Sequence, residues 1–73
     1  MKYVLKESKE KPGWWTLTDT EAMMVVTFKE RHFNDTQRVT LLDGAACTDP
    51  LGVARALRGM AEYMAENHPH TAY

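Results

Sequence analysis

Two periodicities divide the chain. From Trp14 to Leu42 apolar residues return at every second position: Trp15 and Leu17, then Met24, Val26 and Phe28, then Val39 and Leu41. From Val53 onward they return at every third or fourth, at Val53, Leu57, Met60 and Met64. The first spacing belongs to strands with one buried face, the second to a helix with one buried stripe. The changeover falls near Asp43-Gly44.

Four strands follow from the first pattern: Lys2 to Ser8, Trp14 to Thr20, Met24 to Lys29 and Arg38 to Leu42. Tyr3, Val4 and Leu5 alone mark the first. Pro12-Gly13 suits the centre of a type II turn, since proline pre-sets φ and glycine accepts a positive one. Asp19-Thr20-Glu21-Ala22 turns the chain again. Residues 30–37 read as a polar connection with Asn34-Asp35 at its turn. Such short links make successive strands antiparallel neighbours. Asp49 is a preferred N-cap, and Pro50 at the first helical position gives up no needed donor. The helix is predicted from Pro50 to about Asn67, where Asn67-His68-Pro69 stops it. Ala54, Ala56, Ala61 and Tyr63 flank its stripe, with Arg55, Arg58, Glu62 and Glu66 opposite. Gly59 costs about 1 kcal/mol relative to alanine and lies at the stripe's edge, where a missing side chain could admit a neighbour. The expectation is an α+β fold: a three- or four-stranded antiparallel meander packed on one C-terminal helix, in a single domain over residues 1–73.

Alternation assigns two faces to that sheet. Leu5, Trp15, Leu17, Met24, Val26, Phe28, Val39 and Leu41, with Tyr3 in line, should meet the helix. Val4, Lys6, Trp14, Thr16, Thr18, Val25, Thr27, Lys29, Arg38, Thr40 and Leu42 should face outward. One helix covers one face, and antiparallel sheets tolerate water on the other. Trp15 is then the core indole and Trp14 the outer one. The outer set holds three cations and no carboxylate at its strand positions. Trp14, Lys6, Lys29, Arg38, Thr16 and Val25 therefore form the candidate interaction face, an aromatic platform among cations. A solvated strand face uses the same threonines and lysines without any ligand.

With 73 residues, the chain gains roughly 3–5 kcal/mol from a single core. One cysteine, Cys47, excludes a disulfide within the chain and suits a reducing cytoplasm. The N-terminus lacks the apolar run of a signal peptide, and no window approaches a membrane span. The formal net charge of −1 creates no global field toward nucleic acid or anionic lipid. A meander followed by one helix resembles, in topology alone, small DNA-binding domains that read the major groove with a three-stranded sheet. That resemblance makes weak nucleic-acid binding by the basic face the alternative function, although this face carries a single arginine.

Catalytic chemistry has few candidates. Cys47 precedes the helix N-terminus, where a thiolate is stabilised, but no base is placed beside it by the sequence. His68 and His70 sit in a tail expected to fray, without further metal ligands. No glycine-rich phosphate loop is present. The reading is a cytoplasmic, non-catalytic binding module with no cofactor and no metal, acting through the open sheet face or an edge strand. A weak homodimer is expected, through the first or fourth strand rather than the face, where cations would meet their own copies.

Overall fold

The computed structural model describes residues 2–45 and 48–73, so the expectation for Cys47 lies outside the described residues. The elements are β1 (Tyr3–Glu7), β2 (Trp14–Asp19), β3 (Met24–Lys29), α1 (Phe33–Thr36), β4 (Arg38–Leu41), α2 (Pro50–Asn67) and α3 (Pro69–Ala72). The four strands form one antiparallel sheet in the order β1-β2-β3-β4. The fold is the α+β meander expected, with all four strands present.

Local chemistry explains the joints. Gly13 has φ +84°, and the Trp14 N–H donates to the Lys11 carbonyl at 3.1 Å, which closes the predicted type II turn. After β2, the Asp19 carboxylate is buried and accepts from the N–H groups of Glu21 and Ala22 at 3.0 and 2.9 Å. An Asx turn of this kind satisfies a carboxylate that burial would otherwise penalise. At the start of α2 the Asp49 carboxylate accepts from the Gly52 N–H at 3.0 Å, with Pro50 in the first turn.

Leu17, Met24, Val26 and Phe28 form the sheet's contribution to the core, and Met60 and Met64 form the helix's. Val53, Ala56, Leu57, Ala61 and Tyr63 pack around them from α2, and Tyr3, Leu5 and Trp15 from β1 and β2. Gly59 has a structural reason. A Cβ there would stand 3.0 Å from the Tyr3 hydroxyl, so the bare backbone is what lets Tyr3 lie against the helix and stack on Tyr63, centroids 4.6 Å apart.

Four expectations need correction. Val39 and Leu41 are not core residues: they are 38% and 39% exposed, whereas their cross-strand neighbours Val26 and Met24 are 0% and 1% exposed. The cause is width. A helix is about 10–12 Å across and strands are about 4.8 Å apart, so one helix cannot roof four strands. Second, the connection after β3 is not simply polar. Phe33 opens α1 and is 1% exposed, its ring edge-on to Phe28 with centroids 4.9 Å apart. Third, the tail is packed against the fold. Pro69 restarts a helical turn, the Arg31 N–H donates to the Thr71 carbonyl at 2.7 Å, Ala72 is buried and Tyr73 meets Phe33. Fourth, Trp15 lies at the rim of the core rather than inside it, half-buried, with its indole N–H donating to Glu30 Oε1 at 3.2 Å.

Candidate functional site

The antiparallel register lays the outer residues out in rows. Lys6 pairs with Thr16, Thr16 with Thr27, and Thr27 with Arg38. These four therefore run straight across the sheet, with a cation on each edge strand. One step toward the Pro12-Gly13 turn, Trp14 pairs with Lys29. One step the other way lies the row Val4, Thr18, Val25 and Thr40. The six candidate residues thus fall on one side of the sheet in three adjacent rows. Lys6, Lys29 and Arg38 are exposed; Trp14, Thr16 and Val25 are half-buried by their neighbours.

A further cation joins them. Lys11 Nζ stands 5.3 Å from the Trp14 ring centroid, within the range of a cation–π contact worth about 0.5–1 kcal/mol at an exposed site. The type II turn causes this by folding Lys11 back beside Trp14. Its sequence signal was available, since the first and fourth residues of such a turn are neighbours in space. The Trp14 indole is thus flanked by Lys11 through the turn and by Lys29 across the strands. Its immediate surroundings are cationic, although the chain as a whole carries a net charge of −1.

The other candidates are scattered. A cleft of about 550 Å³ is lined by Tyr3, Val4 and Leu5 of β1 together with Trp15, Tyr63, His68 and Thr71. His68 caps the end of α2, and its Nε2 lies 3.3 Å from the Tyr63 hydroxyl. His70 is exposed in α3, while His32, just before α1, has its Nδ1 3.6 Å from Asp35 Oδ2. Among the described residues no three His, Cys, Asp or Glu side chains cluster as metal ligands would. The Lys2 ammonium is held above the usual lysine value by Tyr3 first, then by Asp19 and Glu21.

The fold and its surface define a small α+β domain with a sheet face that no described element covers, bearing one indole among cations. No protein-family model matches the chain, and no curated protein or solved structure matches it. Among the described residues no helix is long and apolar enough to cross a membrane.

Proposed function

We propose that this chain is a small, non-catalytic interaction module that engages a macromolecule through its outer sheet face. The observation that supports this reading is Trp14 itself. It is a large apolar side chain on a face that no described element covers, held between Lys11 and Lys29. Rigid aromatics of this kind contribute binding area at low entropic cost, and cations around them select an acidic counterpart. A cytoplasmic location belongs to the same reading, since a chain with one cysteine draws no stability from an oxidising compartment. The test is capture from lysate by the immobilised chain, with Trp14→Ala and Lys29→Glu beside the wild type. Circular dichroism must show both variants folded. Loss of the same bound protein in both variants supports the reading; equal capture by all three refutes it.

The row Lys6–Thr16–Thr27–Arg38 favours a second reading, in which the acidic counterpart is nucleic acid. Together with Lys11 and Lys29 it offers four cations and no carboxylate at the strand positions of this face. Four neutralised phosphates allow a log–log salt slope of at most about −3.6 on duplex DNA. Binding would then be weak and confined to low salt. No retention of short DNA or RNA at low ionic strength would eliminate this reading.

A further inference from the structure

The sheet has two edges, and they differ. The Leu42 N–H donates to the Met23 carbonyl at 2.9 Å. Since strand residues alternate in the side to which they hydrogen-bond, Thr40 and Arg38 also direct their backbone groups to β3. The N–H and C=O groups of Val39 and Leu41 then point outward, where the sheet has no further strand among the described residues. Their side chains sit on the face that should be roofed by α2 and remain 38% and 39% exposed, with Leu42 beside them at 36%. All four residues of β4 are exposed. Natural edges are blunted by charged side chains, lysine above all, by proline, bulges or cover. Among the described residues the β4 edge has only one of these, Arg38 at its start.

We propose that β4 pairs with β4 of a second copy, antiparallel about a two-fold axis at Thr40, to form a continuous eight-stranded sheet. In this register Val39 of one copy lies opposite Leu41 of the other, twice. Both are outward-directed residues, so each pair exchanges two backbone hydrogen bonds. The charges fit the same operation. Arg38 opens the strand and Asp43 stands just past its end, so antiparallel pairing brings each Arg38 to the Asp43 end of the other copy. The two Arg38 residues remain roughly 14 Å apart along the strands. The opposite edge is less suited: β1 carries Lys6 and Glu7 within its five residues and Lys2 just before them, and charged side chains, lysine above all, blunt an edge. Tyr3 is moreover covered by Tyr63 of α2. A second copy is thus the occupant that β4 fits.

A strand of four residues makes a contact smaller than the roughly 800 Å² per partner of a standard interface. The dimer is therefore weak and depends on concentration. The axis runs through the sheet, so both outer faces end on the same side. The inference is independent of the function proposed for Trp14.

Sedimentation of the full chain over a hundredfold concentration range tests it. The mass should climb from 8.4 kDa toward twice that value. Leu41→Lys should weaken association about tenfold or more, because the two-fold axis applies the change twice and puts a charge into the pairing face. Arg38→Glu and Asp43→Arg should each weaken it, and the double variant should restore it. Trp14→Ala should leave the dimer intact. A constant monomer mass overturns the proposal. So does a dimer that survives Leu41→Lys, or one lost with Trp14→Ala, since either would place the contact elsewhere.

Discussion

Gly59→Ala is the substitution whose outcome the structure decides most narrowly. In an exposed helix interior, the exchange of glycine for alanine gains about 0.8–1 kcal/mol. Here the new Cβ would stand 3.0 Å from the Tyr3 hydroxyl, against the roughly 3.5 Å of an unstrained contact. Something must yield by about half an ångström. The tyrosine ring is the movable part, but it is stacked on Tyr63 at 4.6 Å, a contact worth about 0.5–1.5 kcal/mol. Disturbing part of that stack offsets most of the helical gain, so the single variant should lie within about 0.5 kcal/mol of wild type. Tyr3→Phe removes the obstructing oxygen and keeps the ring. In that background Gly59→Ala should recover about 1 kcal/mol, equivalent to about 4–8 °C in Tm for a domain of this size.

The assay is a double-mutant cycle by urea denaturation, followed by tryptophan emission and by circular dichroism at the helix band. The cycle cancels what Tyr3→Phe costs by itself, including the loss of its neighbour for Lys2. A coupling energy of about 0.5–1 kcal/mol is expected, above the usual additivity error of about 0.3–0.5 kcal/mol. Full stabilisation by Gly59→Ala in the wild type, with no coupling, would refute the argument. It would mean that Tyr3 does not rest on α2 at Gly59.

Trp15→Ala should cost about 2–4 kcal/mol and Trp14→Ala about 1 kcal/mol or less, read from the same denaturation curves; the reversed order would mean that the sheet register is one residue out. Phe33→Ala should cost about 3–5 kcal/mol, on a par with Phe28→Ala, because both rings are buried in one cluster; a loss under 1 kcal/mol would show that α1 does not seal the core. Asp19→Ala leaves two turn N–H groups without their acceptor and should cost about 1–3 kcal/mol, with an unchanged melting temperature counting against the buried Asx turn. The Lys2 ammonium titrates above the ordinary lysine value, so its favourable contacts are present below that value and lost as pH rises through the elevated one. Tyr3→Phe should lower its titration midpoint in an NMR pH series, and an unmoved midpoint would remove Tyr3 as the leading cause.

Elements whose side chains speak to a single partner were legible in the sequence. Helix α2 begins at Pro50 and ends at Asn67 as its cap, its proline and its stripe require. Strand β3 runs from Met24 to Lys29 as its alternation requires. Both patterns are local, and local propensity agrees with the global packing there. What escaped were residues whose burial depends on geometry beyond their own segment. Phe33 lies among polar residues and has no periodic companion, so only the fold of the β3–β4 connection shows that it reaches Phe28. Ala72 and Tyr73 follow a proline that ordinarily ends a helix. Nothing in those letters says that the chain turns back to bond Arg31.

The candidate face and the bare edge have one physical origin. Alternation tells which residues share a side of a sheet, and all six candidate residues duly lie together on the outer side. It cannot tell how much of the other side is roofed. Val39 and Leu41 alternate as regularly as Val26 and Phe28, yet they lie one strand beyond the reach of α2. A width argument was available from the letters alone: four strands span about 14 Å between their outer axes, and one helix covers about 10–12 Å. That deficit leaves one strip of apolar sheet in water, and it had to fall at an edge. It falls at β4, where the flanking charges are of opposite sign and can satisfy one another in a second copy. At β1 they are lysines on either side of Tyr3, Val4 and Leu5, which discourage the same pairing. Charge pattern therefore selects between two edges that strand order makes equivalent.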